Sequence, residues 1–565
     1  MLRLKHEDNV IAYFSMEIGL DPEIPTYAGG LGILAGDTLR SMADLNINAV
    51  GVTLLSETGY FKQDLDQGEQ TEEYVDWNYE RYLSPQIPTV SVITQQGEIF
   101  VRIWEYKMTG IHGHTVPIYF LDTNFEKNTP EYRKITQRLY PTNRVYRLLQ
   151  EVVLGVGGYK ALEALGYEPT VYHLNEGHSA FLTLEFLDRV SKNANIKDPF
   201  EFVRERCVFT THTPVPAGHD TFPRAQVQLH VEGYEFLKQL PQVFFFFFNL
   251  NMTHLALSMS IKVNGVAKKH AEFSQQMFPN YTINAITNGV HHAFWTSPAI
   301  QMLFDEFIPG WYEDPYALHA ALTIPTYRIE QAHQENKMAL FEYVRNETGV
   351  MLDPNVCTIG YARRITRYKR PDLLFYDLDE LNRIAEQHPI QLIFAGKAHP
   401  DDKVGKSMIK EIMSLPKKLS DNVKLVYLPN YDIRLAKHVI PGVDVWLNTP
   451  KRPLEASGTS GMKASLNGVP NLSVLDGWWL EGHIEGITGW SIGPKPALNK
   501  SGDIVCVDCD DSDDLYYKLN DTILPMYYDN KEELSMIRRW CIALIGSYFH
   551  SHRMVEQYIV KSYLM

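Results

Sequence analysis

The segment Glu455-Ala-Ser-Gly-Thr-Ser-Gly-Met-Lys463 has the residue types and spacing best suited to chemistry. It follows the hydrophobic run Val443–Leu447, which predicts a strand, then a Gly/Ser/Thr loop, then the start of a helix. Backbone N–H groups at a helix N-terminus bind anions, and small loop residues do not block their approach. A lysine beside a phosphate site is the arrangement expected for pyridoxal phosphate, which forms a Schiff base with lysine. The alternative is a Gly-rich turn with a solvated lysine.

Two further segments have residues suited to binding anions. The Gly-rich segment Tyr27–Asp37 precedes a predicted helix, so its backbone can approach a ligand closely; the alternative is a tight turn. The segment Arg363–Arg370 follows a strand-like run, and five of its eight residues are basic. Arginine binds phosphate oxygens bidentately and lysine acts as a point charge, so this segment suits two adjacent phosphates. Its alternative is a solvated basic patch.

Two polar segments suit a ligand rich in hydroxyl groups. His212 lies in Thr210–Asp220, after a predicted buried strand, and could hydrogen-bond sugar hydroxyls; its alternative is a structural histidine. Asn288 in Ile286–Gly289 offers both a donor and an acceptor, and its alternative is a turn residue.

The composition is that of a globular protein with more than one domain. At 565 residues, two large domains or three smaller ones are expected. The net charge of −15, from 68 acidic and 53 basic residues, argues against nucleic-acid binding. No apolar stretch suggests a signal peptide or a membrane span, so a cytoplasmic protein is expected. The lone CxxC at Cys506–Cys509 lacks a second pair, so no metal site is expected.

Strand-like and helix-like segments alternate along the chain, which predicts parallel sheets covered by helices on both faces. We predict two doubly wound α/β domains, 1–295 and 296–565, and expect the last helix to pack back on the first domain. Ligands are expected at the carboxyl ends of the strands. The run Phe244–Phe248 cannot be hidden on one face of a helix or strand, and burial is favoured over an interface or sugar-binding surface. The predicted strands are 98–104, 115–121, 170–174, 207–211, 358–361, 390–394, 423–427, 443–447 and 471–475.

An ordered set of motifs resembles the α-glucan (glycogen and maltodextrin) phosphorylases, particularly their short prokaryotic forms. The resemblance covers roughly residues 10–300 and 355–500. The motifs are Tyr13–Glu17, Gly29–Gly32, Leu174–His178, Thr211–Thr213, Thr287–Gly289, Arg364–Arg370, Gly396–Ala398, Glu455–Lys463 and Leu475–Gly477.

The resemblance implies two Rossmann-like domains in the GT-B arrangement, with an active site in the interdomain cleft. It implies retaining phosphorolysis of the non-reducing terminal α-1,4-glucosidic bond to give α-D-glucose 1-phosphate, with pyridoxal 5′-phosphate as cofactor and its phosphate as proton relay. Nucleotide- and phosphorylation-based control is not expected to transfer, because the chain lacks several hundred residues of the larger eukaryotic enzymes. A homodimer is possible, since many relatives are dimers.

The resemblance also assigns residues to roles. Lys463 would carry the cofactor, and Arg364, Lys369 and His212 would complete the catalytic set. The other cofactor contacts would be Thr459, Ser460, Arg363, Lys369, Gly30 and Trp295. The substrate contacts would be Asn288, Tyr368, Glu455, Ser457, Gly458, Glu176 and His178. Arg367 and Thr366 depart from the larger enzymes, which usually have an acidic residue and a histidine there.

Two other functions remain as alternatives. A nucleotide-sugar glucosyltransferase of the same fold, such as a glycogen or starch synthase, would not need Lys463 as a Schiff-base lysine. A catalytically silent glucan-binding protein would retain glucan without releasing glucose 1-phosphate, because a fold does not prove an activity.

Overall fold

The computed structural model describes residues 9–215, 218–231, 234–245, 248–494 and 508–564. The chain forms two compact units. Unit 1 consists of Met1–Phe61, Tyr74–Thr287 and Met554–Met565, and unit 2 consists of Lys62–Glu73 and Asn288–Arg553. The sequence instead predicts a single division, after residue 295. The segment Lys62–Glu73 belongs to unit 2 because its hairpin packs against a helix of that unit.

The strands are distributed between the two units. Those of unit 1 are β1 (Ile11–Ser15), β2 (Ala49–Leu54), β5 (Ser84–Pro85), β6 (Val90–Thr94), β7 (Gly97–Thr109), β8 (Thr115–Asp122), β9 (Val171–Asn175), β10 (Cys207–Thr210), β11 (Thr221–Pro223), β12 (Phe244–Phe245), β13 (Asn249–Asn251), β14 (Lys262–Gly265) and β15 (Ile283–Ala285). Those of unit 2 are β3 (Lys62–Asp66), β4 (Glu69–Glu73), β16 (Cys357–Ala362), β17 (Ile390–Ala395), β18 (Val423–Leu428), β19 (Val445–Asn448), β20 (Asn471–Val474) and β21 (Gly489–Ile492).

The helices follow the same division. Those of unit 1 are α1 (Gly30–Asp44), α2 (Pro130–Arg133), α3 (Arg144–Val152), α4 (Gly158–Ala164), α5 (Leu182–Ser191), α6 (Pro199–Arg204), α7 (Arg224–His230), α8 (Tyr234–Leu237), α9 (Met252–Ser258) and α10 (Lys268–Met277). Those of unit 2 are α11 (His292–Trp295), α12 (Pro298–Phe307), α13 (Thr326–Thr348), α14 (Leu378–Gln387), α15 (Lys403–Ser414), α16 (Ile433–Gly442), α17 (Ser460–Leu466), α18 (Trp479–Gly482), α19 (Asp508–Lys518), α20 (Leu524–Asp529) and α21 (Lys531–Trp540). The last helix, α22 (Ser551–Tyr558), contains the point at which the chain passes from unit 2 back to unit 1.

The large sheet of unit 1 is mixed. Its parallel part has the order β15-β14-β10-β9-β1-β2-β8, and β7 pairs antiparallel with β8 at one end. From β1 the sheet grows in one direction through β2 and β8, and from β9 it grows in the other direction through β10, β14 and β15. The strand order therefore reverses between β1 and β9, as in doubly wound folds. Ligands in such sheets bind beyond the carboxyl ends of the strands at this switch point. Glu17, Glu176 and His212 follow β1, β9 and β10 there.

The large sheet of unit 2 is parallel, with the order β18-β17-β16-β19-β20-β21. Its order also reverses once, between β16 and β19. Arg363 follows β16, Asn448 ends β19, and Asp476 follows β20. The predicted functional segments of this unit therefore begin at neighbouring carboxyl ends.

Hydrophobic runs form the buried strands because helices cover both faces of each parallel sheet. Residues Ile11 and Tyr13 of β1 pack in one core, and Ala12 and Phe14 pack in the core on the other face, as strand alternation requires. The nine predicted strands are confirmed to within a few residues at their ends. The fold class is α/β, as predicted. Within the described residues, no helix has the length and apolar character needed to cross a bilayer.

The phenylalanine run departs from its predicted burial. Phe244 is buried and pairs with Leu250 across β12 and β13. Phe248 lies in the turn before β13 and is 75% exposed, so the prediction of a wholly buried run is wrong there. Phe246, Phe247 and Cys506 lie outside the described residues.

Candidate active site

Lys463 lies in the first turn of α17, as the sequence predicts, and is 6% exposed. Its Nζ is 3.5 Å from the centroid of the Trp295 ring. The side chain of Asn467 donates hydrogen bonds to the backbone carbonyls of Trp295, at 2.9 Å, and of Lys463, at 2.8 Å. Asn467 Oδ1 also accepts from the backbone N–H of Ser297 at 2.7 Å. One buried amide therefore fixes the lysine and the indole next to each other.

Two cations and one carboxylate form a cluster beside the β16–β19 switch point of unit 2. Glu455 Oε2 accepts from Arg363 Nη2 at 2.6 Å and from Lys369 Nζ at 2.5 Å. Arg363 Nη1 also donates to Asn448 Oδ1 at 3.2 Å. Two positive charges around one negative charge leave a net positive charge in this cluster. The cluster can therefore attract an anion.

The two carboxylates near this cluster have pKa values shifted in opposite directions. Burial acts to raise the pKa of Glu455, but the charges of Arg363 and Lys369 outweigh it and hold that pKa at about 2. Burial raises the pKa of Asp476 to about 7, and the negative charge of Glu455 adds to the effect. Asp476 Oδ2 accepts from the backbone N–H of Glu455, and its Oδ1 accepts from that of Gly477, each at 2.9 Å. Asp476 thus positions the backbone that carries Glu455.

The loop before Lys463 lies next to this cluster. Ser460 Oγ accepts from Trp446 Nε1 at 3.1 Å and lies 3.5 Å from Asn448 Oδ1. Thr459 is the N-cap of α17, but its side chain makes no capping hydrogen bond, so it does not occupy the N–H groups of the first turn. Gly458 has φ +76°, a left-handed conformation that favours glycine. Asn448 thus brings Arg363 and Ser460 together, two of the predicted phosphate-binding residues.

The remaining predicted residues of unit 2 differ in their burial and contacts. Arg364 is exposed. The Tyr368 ring lies under Lys369, with Nζ 4.5 Å from the ring centroid. Ser457 is buried, and its carbonyl accepts from Trp478 N at 3.0 Å. Asn288 is 4% exposed, and its buried Oδ1 accepts no hydrogen bond from the described residues.

Unit 1 has a second polar cluster at the ends of β9 and β10. Glu176 has φ 72° and is buried; its Oε2 accepts from His212 N at 2.8 Å and from Thr213 Oγ1 at 3.0 Å. His212 Nε2 lies 2.7 Å from Asn175 Oδ1, an acceptor, so Nε2 carries the proton and Nδ1 has a lone pair. Burial lowers the pKa of His212 to about 3, which leaves its ring neutral near pH 7.

A half-buried ion pair lies next to His178, a predicted substrate-binding residue. Arg147 Nη2 lies 2.6 Å from Asp220 Oδ2, and His178 Nε2 lies 3.5 Å from the same oxygen. Burial and the Arg147 charge lower the pKa of His178 to about 3. His178 therefore offers a neutral imidazole.

The Gly-rich loop is held by Glu17, which ends the motif Tyr13–Glu17. Glu17 Oε2 accepts from the backbone N–H groups of Ala28, at 2.5 Å, and Gly29, at 3.2 Å. Its Oε1 accepts from the Tyr140 hydroxyl at 2.8 Å. Gly30 begins α1, and a Cβ built on it would meet no atom within 4 Å. The backbone at Gly30 is thus open to approach.

The sixteen predicted site residues are divided between the two units. Gly30, Glu176, His178 and His212 lie in unit 1, and the other twelve lie in unit 2. The sequence alone assigns no role to Asp476, Asn467 or Asn448. Asp476 lies inside the motif Leu475–Gly477, and Asn448 directly follows the predicted strand 443–447, so both have a sequence signal. Asn467 had only its position four residues after Lys463.

Comparison with known proteins gives one consistent family. The sequence profile of the family described as carbohydrate phosphorylase matches residues 18–99 and 248–485. The maltodextrin phosphorylase of Thermococcus litoralis is 37% identical over 99% of this chain and 71% of its own length. The glycogen phosphorylase of Aquifex aeolicus is 34% identical over 99% of this chain and 87% of its own length. The glycogen phosphorylase of Mycobacterium tuberculosis is 33% identical over 98% of this chain and 70% of its own length.

Proposed function

Because the chain belongs to the carbohydrate phosphorylase family, we propose that it is an α-glucan phosphorylase, a hexosyltransferase. It cleaves the non-reducing terminal α-1,4 bond of glycogen or maltodextrin with inorganic phosphate and releases α-D-glucose 1-phosphate with retained configuration. The observation that supports this most is the buried Lys463 on Trp295, together with the cluster of Arg363, Lys369 and Glu455. The relatives named above are maltodextrin and glycogen phosphorylases.

The residues around Lys463 fit pyridoxal 5′-phosphate as the cofactor. The buried amine lies against an indole face, so a flat aromatic ring attached there has an apolar surface to pack on. Arg363 Nε is buried and makes no hydrogen bond within the described residues, so the guanidinium has a donor to offer an anion. Thr459, Ser460, Arg363 and Lys369 would hold the cofactor phosphate. When bound, the cofactor would supply a phosphate group that exchanges a proton with the substrate phosphate.

The substrate phosphate would be held by Arg364 and Lys369. Arg364 is exposed and adjacent in sequence to the half-buried Arg363, so the two arginine side chains differ in their exposure to solvent. Cations here would reduce the repulsion between two phosphates without removing it, and the remaining repulsion would favour a proton shared between them. Lys369 is fixed by Glu455 and so would stay in position while the anion binds and leaves.

The terminal glucose would be bound by Asn288, Tyr368, Glu455, Ser457 and Gly458. Asn288 Oδ1 is a buried acceptor that a sugar hydroxyl can satisfy, which stabilises the complex because an unmade buried hydrogen bond costs about 1–3 kcal/mol. Glu455 is ionised at neutral pH, and its second oxygen can accept from a hydroxyl.

Two histidines of unit 1 would bind the glucan through neutral rings, and Glu176 would support them. His212 offers the Nδ1 lone pair to a hydroxyl because its Nε2 proton is directed to Asn175. Glu176 fixes the backbone of His212, and His178 presents an uncharged ring. The position of the active site in an interdomain cleft stays a prediction from the resemblance.

The test is the release of glucose 1-phosphate from maltodextrin and inorganic phosphate by the purified protein. The wild type should release it, and Lys463→Ala should lose both the reaction and the near-ultraviolet pyridoxal absorbance. Lys437→Ala is the matched control, because Lys437 Nζ also lies over an aromatic ring, that of Phe294 at 3.7 Å, and this variant should keep both. Glucose transfer from UDP- or ADP-glucose without a pyridoxal chromophore would contradict the proposal.

A further inference from the structure

Three buried histidines of unit 2, His291, His292 and His552, form a cluster that the proposed reaction does not use. Each offers one ring nitrogen, and these nitrogens all lie within 4.8 Å of one another. The three residues are at most 4% exposed. The His292 and His552 rings meet edge to face, with centroids 4.6 Å apart.

His292 has the hydrogen-bonding pattern of a metal ligand. Its Nε2 lies 2.8 Å from the backbone carbonyl of Tyr312, which can only accept, so Nε2 carries the proton. Its Nδ1 therefore has a lone pair, and this buried atom makes no hydrogen bond within the described residues. Metal-binding histidines typically donate their other N–H to a carbonyl or carboxylate, which fixes the tautomer and the ring.

The backbone around the cluster joins the two ends of unit 2. Val290 N donates to Phe549 O at 3.0 Å, and Ser551 N donates to Val290 O at 2.9 Å. A Cβ on Gly289 would lie 2.3 Å from His550 O, so only glycine permits this approach. The rings of residues 291, 292 and 552 are therefore held close together by main-chain contacts that do not depend on an ion.

We propose that His291, His292 and His552 bind a divalent transition-metal ion of the Zn²⁺ class, with water as the fourth ligand. Tetrahedral Zn–N bonds of about 2.0–2.1 Å place ligand nitrogens about 3.4 Å apart, so the rings need to approach by about 1.4 Å at most. The ion joins the first residues of the segment Asn288–Arg553 to its last residues. It also fixes α11, whose last residue, Trp295, contacts Lys463.

Two features of the cluster oppose metal binding. His291 Nδ1 accepts from Phe294 N at 3.1 Å and so caps α11. If His291 binds the ion through Nε2, the ring proton moves from Nε2 to Nδ1, and this capping hydrogen bond is lost. Arg553 brings a positive charge close to His550. We therefore expect weaker binding than at a site with a carboxylate ligand.

The test is the metal content of tag-free holoenzyme, dialysed against a chelator and reloaded with Zn²⁺. The wild type should retain about one ion per chain. His292→Gln and His552→Gln should retain less than about a tenth of that, and Gln at 292 can still donate to the Tyr312 carbonyl. His230→Gln is the matched control, because His230 is also buried with a ring Nδ1 that has no partner within the described residues. This variant should bind as the wild type does. Metal retained in both cluster variants would overturn the proposal.

Cobalt gives a second measurement that does not need a folded variant. Co²⁺ bound by three imidazoles absorbs in the visible region, at longer wavelengths than pyridoxal. The wild-type protein loaded with Co²⁺ should show these bands, and their absence would overturn the proposal. Neither measurement depends on phosphorolysis, so failure here is distinguishable from failure of the proposed function.

Discussion

The raised pKa of Asp476 makes a measurable prediction about the free energy of unfolding. The perturbation is Asp476→Asn, which keeps the shape of the side chain and removes its titration. Asp476 accepts two backbone hydrogen bonds, from Glu455 and Gly477, and Asn can accept only one in the same place. The lost bond costs about 1–3 kcal/mol at every pH, because it leaves a buried N–H unpaired.

The pH-dependent part follows from proton linkage. Burial raises the Asp476 pKa from 3.8 to about 7. A raised pKa in the folded state contributes stability that is complete below the unfolded pKa and is lost as pH rises through the folded pKa. Between about pH 4 and pH 7 the native protein keeps a proton that the unfolded chain has released. The wild-type free energy of unfolding therefore falls by about 1.4 kcal/mol per pH unit relative to the variant, or about 4 kcal/mol in all.

The assay is urea unfolding of the holoenzymes, followed by tryptophan fluorescence from about pH 5 to about pH 8. Subtracting the variant curve from the wild-type curve removes the constant hydrogen-bond cost and every other titration that the two share. Asp401→Asn changes an exposed carboxylate of unit 2 and is the control. Its free energy of unfolding should depend on pH in the same way as that of the wild type. A wild-type curve parallel to that of Asp476→Asn would refute the reasoning.

Three further substitutions test the site and its support. Arg364→Ala should raise the KM for phosphate by about 10-fold or more, because a cation contributes about 1.4 kcal/mol or more to anion binding. An equal rise in the KM for maltodextrin would show that Arg364 does not act specifically on phosphate. Glu455→Gln should lower kcat by about 10–100-fold, because the two cations lose their shared counter-charge; unchanged steady-state kinetics would exclude Glu455 from the site. Asp444→Asn should lower the free energy of unfolding by about 3–5 kcal/mol, because buried Asp444 accepts from Lys337 at 2.7 Å and Arg538 at 3.1 Å; a calorimetric melting temperature within about 2 °C of wild type would contradict this.

The sheets could be predicted from the sequence because parallel strands are buried on both faces. A run such as Ile390–Phe394 has no polar alternation, so its hydrophobicity alone marks a strand. The ends of these strands then indicated where functional loops begin. Phe248 shows the limit of this reasoning, because its exposure depends on a turn between two short strands rather than on its own hydrophobicity.

The site could be predicted only where a motif concentrates functional residue types. Glu455–Lys463 and Arg363–Arg370 gave the cations, the carboxylate and the lysine. The role of Asp476 could not be predicted, because its raised pKa depends on burial and on the charge of Glu455. The histidine cluster was also out of reach, because His292 and His552 lie near opposite ends of unit 2 and only the folded backbone brings them together.

The central claim is that Lys463 carries pyridoxal phosphate in the active enzyme. The most direct measurement is peptide mass spectrometry of holoenzyme reduced with borohydride, after its phosphorolytic activity has been confirmed. A phosphopyridoxyl group on the peptide containing Lys463, in amounts that match the active fraction, is the predicted result. Fully active protein with an unmodified amine at Lys463 would contradict the account.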